Sequence, residues 1–198
     1  ECKRCVSLEE NRKMMEMCVA VQSFPSETKV GFEQMMSYVG DQLVSISKES
    51  ALEMLKEHEV ESVAVCYYNR TCHNLAKAIL GPSKAVKGTQ LVNRSRYMCK
   101  GGSILMINYQ YEVIETPSRM DKEVELKCVE SQNVFRVPLY HVESHMHYYR
   151  TRTCHSLQGS SVSGRILLYD LRSPYISKEF IYVAMTRARN FSEIYIVH

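Results

Sequence analysis

Thr153-Cys154-His155-Ser156-Leu157-Gln158-Gly159-Ser160-Ser161 and, after an apolar run, Tyr182-Val183-Ala184-Met185-Thr186-Arg187-Ala188-Arg189 are the two clusters whose reading decides the fold. Between them, Arg165-Ile166-Leu167-Leu168-Tyr169-Asp170 has the unbroken apolar character of a strand buried on both faces of a parallel sheet, and Ile194-Tyr195-Ile196-Val197 is a second such run. A polar turn, a buried strand, a short helix carrying arginines and another buried strand make a βαβ arrangement with polar ends open to a ligand. Gln158-Gly159-Ser160 suits an anion there, because glycine lets the backbone approach closely and successive turn N-H groups form a concavity for negative charge. Arg187 and Arg189, two residues apart on the expected helix, point in different directions, so one can reach a phosphate while the other supports it.

These residues resemble motifs V and VI of superfamily 1 helicases, in the second RecA-like domain and closest in style to the RecD-like, 5′-to-3′ branch. The pattern Thr-x-His-Lys/Ser-x-Gln-Gly, followed by Tyr-Val-Ala-hydrophobic-Ser/Thr-Arg-Ala-Arg, is met at Thr153, His155, Ser156, Gln158, Gly159, Tyr182, Val183, Ala184, Thr186, Arg187, Ala188 and Arg189. Two linked motifs at this separation are far more specific than either alone. The implied fold is an α/β RecA-like parallel sheet flanked by helices, with a small inserted β (SH3-like) subdomain.

A chain of 198 residues with 45% hydrophobic content can build one substantial core plus a small insertion. Its net charge of +3 is mild, gives only weak support to an anionic partner, and by itself decides nothing. The eight cysteines are scattered through apolar runs with no secretory segment ahead of them, which reads as free thiols in an intracellular, reducing compartment. No stretch approaches the roughly 18 consecutive apolar residues of a membrane span, so no membrane partner is expected. The chain opens without an initiator Met, as a fragment does.

Leu8, Met14, Met15, Cys18, Val19 and Val21 recur near the helical period, and Pro25 is the expected stop. Lys3-Arg4 ahead of this helix resembles motif IV as it occurs in RecD-like and herpesvirus helicase-primase helicases, which nominates Arg4 for the nucleotide γ-phosphate. A competing register, on the UvrD-like pattern, nominates Arg12 or Lys13. Cys2 and Cys5 lack two further ligands at sensible spacing, so zinc is not expected.

From Phe32 to His58 the pattern reads helix, short strand, helix; Glu61 to Tyr68 is a buried strand, and a helix is expected from His73 to Leu80. The turn between them, Asn69-Arg70-Thr71, lies where the resemblance places a single-stranded DNA backbone across the strand ends. An ordinary helix cap is the competing reading of the same three residues.

Beyond Gly81-Pro82-Ser83, several short strands follow the most basic interval of the chain, and residues 86–140 read as the inserted β subdomain, leaving 1–85 and 141–198 for the RecA-like domain. Tyr109, Tyr111 and Phe135 there are candidates to stack on bases, or alternatively to pack the meander itself. His141, His145 and His147 have no carboxylate or thiolate at ligand spacing; His145 and His147 read as alternating residues of a strand, and no metal site is expected.

No Gly-x-x-x-x-Gly-Lys-Ser/Thr run occurs in the chain. The resemblance therefore implies that ATP and Mg²⁺ are held mainly by a first RecA-like domain. Arg187 and Arg4 would act as arginine fingers, Gln158, Gly159 and Arg189 would contact the nucleotide, and Thr153, His155, Asn69, Arg70, Thr71 and Tyr109 would meet single-stranded DNA. The alternatives are an RNA helicase domain of a viral replicase, or a non-catalytic scaffold of the same fold that docks other replication proteins. Cys154-His155 is not read as a nucleophile and base, because neighbours on a strand point to opposite faces.

Overall fold

A computed structural model describes residues 7–25, 28–57, 59–118, 120–157 and 160–198. Contacts divide the chain into two compact units, one made of Glu1–Thr71 with Arg152–His198, the other of Cys72–Thr151.

The first unit begins with helices α1 (Leu8–Ser23) and α2 (Lys29–Gln42), then β1 (Val44–Ile46), α3 (Lys48–Lys56) and β2 (Ser62–Cys66), from which α4 (Asn69–Leu80) departs. Each of the first three helices starts where a Ser or Thr oxygen accepts an otherwise unpaired amide: Ser7 from Glu10, Thr28 from Gly31 and Ser47 from Ser50. The chain returns through β10 (Thr151–Thr153), a 3₁₀ turn (Cys154–Leu157), β11 (Arg165–Leu168), α6 (Lys178–Met185) and β12 (Ile194–Val197).

The strands form one sheet in the order β1-β12-β11-β2-β10, with β1/β12, β12/β11 and β11/β2 parallel. Val63, Val65, Ile166, Leu168, Ile194 and Ile196 pack on one core with Met14, Met17, Val21, Met35 and Val39 of α1 and α2 and with Ile181, Ala184 and Met185 of α6. The intervening Ala64 and Leu167 are fully buried as well, so β2 and β11 are covered on both faces. This is the RecA-like α/β sheet flanked by helices that the sequence implied.

The second unit has its own antiparallel sheet, in the order β8-β7-β6-β3-β9, built from β3 (Gln90–Asn93), β6 (Gln110–Val113), β7 (Glu123–Cys128), β8 (Val134–Pro138) and β9 (Met146–Tyr148). A two-stranded ribbon, β4 (Tyr97–Met98) with β5 (Ile104–Leu105), and the helix α5 (Leu139–His145) complete it. Alternate residues Val124, Leu126 and Cys128 of β7 face a core shared with Leu91, Tyr111 and Val137.

Several local expectations are corrected. Asn69, Arg70 and Thr71 are the first turn of α4 and not a loop before it. The helix α6 ends at Met185, so Arg187 and Arg189 lie in the turn beyond it, where Ala188 bridges to Val162. His145 is the last residue of α5 and His147 lies on β9, so the two do not share a strand. Cys154 and His155 stand on a 3₁₀ turn rather than a strand.

Candidate nucleotide and nucleic-acid sites

Two opposite ends of the parallel sheet collect the polar residues of the first unit. At the end where β11 begins, the Arg187 side chain is partly buried and donates from Nε to the Val183 carbonyl at 3.3 Å, from one terminal nitrogen to the Ser160 carbonyl at 3.3 Å, and from the other to Thr186 Oγ1 at 3.2 Å. The backbone fixes this placement, since Val162 N donates to the Arg187 carbonyl at 2.8 Å and Ser160 N to that of Leu157 at 3.0 Å. Its three acceptors among the described residues are neutral, so they hold the guanidinium in place without cancelling its charge. Gln158 and Gly159 lie outside the described residues, but Ser160, which follows them, is in direct contact with Arg187. Arg189 is exposed.

The turn leading into this end is braced by a residue that sequence reasoning missed. Arg152 is 5% exposed, and its guanidinium bonds to the hydroxyl and the carbonyl of Ser156. Nothing in Thr151-Arg152-Thr153 marks which member of an alternating run turns inward. Cys154 is buried with its Sγ 3.7 Å from the Phe180 carbonyl, and burial pushes its thiol up to about 11 against an opposing pull from the Arg187 charge. His155 is exposed. Thr153 is half-buried, and its carbonyl accepts the Ser156 hydroxyl at 2.8 Å. A buried, protonated thiol beside an exposed imidazole is no nucleophile and base, for reasons of burial rather than strand alternation.

Arg4 lies outside the described residues. In the competing register, Arg12 sits 3.7 Å from Glu16 and Lys13 2.9 Å from Glu9, exposed pairs of the ordinary i,i+4 kind.

At the opposite end, where β2 and β11 finish, Asp170 adopts a left-handed backbone with φ 64°. Its carboxylate accepts the amides of Tyr67 and Tyr68 at 3.1 and 3.0 Å and the Thr71 hydroxyl at 2.8 Å. Thr71 is thus a brace between two loops, whereas Asn69 and Arg70 are exposed. Asp170 was not singled out in the sequence, where Tyr169-Asp170 reads as the tail of an apolar strand.

In the second unit Tyr109 is 43% exposed, but Tyr111 is buried and its hydroxyl accepts Met106 N at 2.9 Å. Phe135 packs edge-on against Tyr111. Those two aromatics are core residues of the meander. His141 is buried with Nε2 3.2 Å from Asn93 Oδ1. Among the described residues no group of three His, Cys, Asp or Glu is placed to hold a metal ion. The described cysteines, Cys18, Cys66, Cys72, Cys99, Cys128 and Cys154, are all buried. Among the described residues no helix is long and apolar enough to cross a membrane.

No known protein-family profile matches the sequence. No curated protein matches it either. Among solved structures, the chain is similar to a Pif1 helicase from a study of DNA unwinding at forked double-stranded DNA by two coordinating Pif1 helicases, with a TM-score of 0.58 and 12% identity over 98% of this chain and 47% of that one. A Pif1 helicase from Candida albicans gives 0.43 at 9% identity, covering 94% of this chain and 53% of that one. Pif1 from a Bacteroides species in complex with ADP-AlF4 gives 0.42 at 11% identity, over 98% and 50%. The chain spans about half the length of these helicases. The first of these likenesses shows a shared fold, the parallel α/β sheet flanked by helices described above.

Proposed function

We propose that this chain is the second RecA-like domain of an ATP-dependent DNA helicase, supplying charge to a nucleotide held mainly by a first RecA-like domain and binding single-stranded DNA on its own account. The observation that carries this reading is the Arg187 guanidinium, fixed beside Ser160 by acceptors that are neutral among the described residues. A cation so held has a direction and an unspent charge, which is what a group that neutralises a developing phosphoryl charge needs. ATP with Mg²⁺, when bound by the first domain, supplies the phosphoryl group and most of its binding energy. Arg187 then orients and stabilises the leaving charge, Arg189, Gln158 and Gly159 are the further candidates to contact the nucleotide, and Arg4 is the second cationic candidate.

Binding of ATP between two faces favours their closure, and loss of the γ-phosphate removes the charge that favours it. Asn69, Arg70, Thr153 and His155 are the residues of the first unit that would track a strand through these cycles; Tyr109 is a separate candidate on the second unit. Movement in the 5′-to-3′ sense follows from the motif resemblance.

Arg187→Ala in the protein that carries both RecA-like domains tests the proposal. DNA-stimulated ATP turnover should fall about 10³-fold or more. Nucleotide binding should change far less, because the finger acts chiefly in the transition state. Unchanged turnover would leave a scaffold role for the fold. Stronger stimulation by RNA than by DNA would replace the polymer in this reading. The 198-residue chain by itself should hydrolyse no ATP and should bind single strands weakly, with strong dependence on salt.

A further inference from the structure

The end of the sheet away from Arg187 carries a second feature. From β11 the chain continues through α6 to β12, its neighbour on one side, whereas β2 has β10, the strand later in the chain, on its other side. The junction of β2 and β11 is therefore a point where successive strands depart in opposite directions, and in open α/β sheets a ligand crevice forms outside the carboxyl ends of strands at such a point.

The two loops that border this junction are tied together before any ligand arrives. Asp170 holds the amides of Tyr67 and Tyr68 and the hydroxyl of Thr71, so its charge is occupied inward. The Tyr68 hydroxyl lies 2.7 Å from Ser173 Oγ, and the same Oγ accepts Tyr175 N at 3.2 Å. A single serine hydroxyl thus joins one tyrosine to the backbone of the other. Tyr67 supports Tyr68 edge-on with ring centroids 5.0 Å apart and rests in turn on Phe180.

What these braces present to solvent is aromatic and cationic. Tyr68 is 39% and Tyr175 69% exposed, and Arg70 in the first turn of α4 and Arg172 in the loop after β11 are exposed as well. Tyr68 and Tyr175 meet at the same Ser173 hydroxyl, so these two exposed tyrosines stand together and are not scattered single residues. Flat aromatic surfaces on a rigid support beside arginines suit a polymer that alternates planar bases with phosphates.

We infer that Tyr68 and Tyr175 form a base-stacking platform at the β2–β11 junction, with Arg70 and Arg172 engaging the adjoining phosphates of a single strand. This deepens the proposed function and rests on its nucleic-acid half. It adds that stacking, rather than phosphate contact alone, carries part of the binding at this end. The platform is preorganised, because Asp170 and Ser173 set both loops in the free protein.

Fluorescence anisotropy of the 198-residue chain with a labelled oligothymidylate and with an abasic strand of equal length separates the contributions. Tyr175→Ala should weaken oligothymidylate binding about tenfold, leave its salt dependence unchanged, and leave the abasic strand unaffected. Tyr68→Phe keeps the ring and should stay within about twofold of the parent, whereas Tyr68→Ala should match Tyr175→Ala. Arg172→Ala should weaken both strands and lower the salt slope by about one. Equal affinity of Tyr175→Ala and the parent for oligothymidylate, or an equal loss on the abasic strand, overturns the platform. Failure of the parent chain to bind either strand at low salt removes the nucleic-acid half of the proposed function itself, which is a different result.

Discussion

Gly164, immediately before β11, has no room for a side chain. A Cβ there would stand 2.0 Å from the Glu61 carbonyl oxygen, the same oxygen that accepts Arg165 N at 2.8 Å as β11 joins β2. Gly164→Ala must separate the two central strands at their first pair, and the expected cost is about 2–3 kcal/mol, typical of overpacking against an unyielding neighbour. It should be read as a lower urea midpoint with the slope of the transition unchanged. Cys154 makes the opposite kind of residue-scale prediction. With its thiol buried and pushed up to about 11, it should resist alkylation at neutral pH and react only on unfolding. Counting labelled Cys154 by mass spectrometry with and without denaturant checks this, and rapid native labelling would contradict the burial. Neither Gly164 nor Arg152 was legible in the sequence. One owes its importance to a carbonyl about a hundred residues earlier, the other to which side of a short strand it happens to face.

At the scale of elements, the bend after β11 depends on Asp170 as much as on any hydrophobic contact. Left-handed backbone is uncommon for residues other than glycine and is tolerated best by Asn and Asp. Asp170→Ala would keep the unfavourable φ of 64° and strand three donors, so a loss of about 2–4 kcal/mol is expected, together with weaker binding of single strands. Asp170→Asn tolerates the same backbone and retains acceptor capacity, and thermal unfolding should place it between Asp170→Ala and the parent. Sequence reasoning recovered the elements that periodicity and caps define. The spacing of Met14, Cys18 and Val21 located α1, and the apolar runs at 62–66, 165–168 and 194–197 became the central parallel strands. It failed where tertiary contacts set the ends. The helix α6 stops at Met185 because Ala188 is drawn into a bridge with Val162, which puts Arg187 in a turn. The helix α4 begins at Asn69, earlier than expected, because Asp170 ties down the residues before and within its first turn. The helix α5 was hidden by Tyr140 and Val142, residue types that favour strands by propensity.

The whole molecule is two cores threaded by one chain, since the unit spanning Cys72–Thr151 interrupts the other. Each has its own hydrophobic cluster, so the two need not lose stability under the same conditions. Acid should separate them. In the second unit His147 is held down to about 4, first by burial and then by the positive charges of Arg94 and Lys84 and by His73. His141 is lowered too, by burial and by His145. Both groups bind protons more readily when unfolded than when folded. Between about pH 4 and the ordinary histidine range near 6.5, the unfolded state therefore carries the extra protons, and stability of this unit rises with pH across that window and levels off above it. Allowing for partial exposure, His147 contributes on the order of 1–3 kcal/mol to that slope. Urea unfolding at a series of pH values, followed by amide hydrogen exchange resolved along the chain, should show residues 72–151 losing protection at lower denaturant than the parallel sheet as pH falls from 7 to 5. His147→Gln, which cannot take up a proton, should flatten this dependence while leaving the exchange of β2, β11 and β12 as it was. A pH slope that survives in His147→Gln would assign the acid sensitivity to His141, and a single transition common to both units at every pH would show that their cores unfold as one.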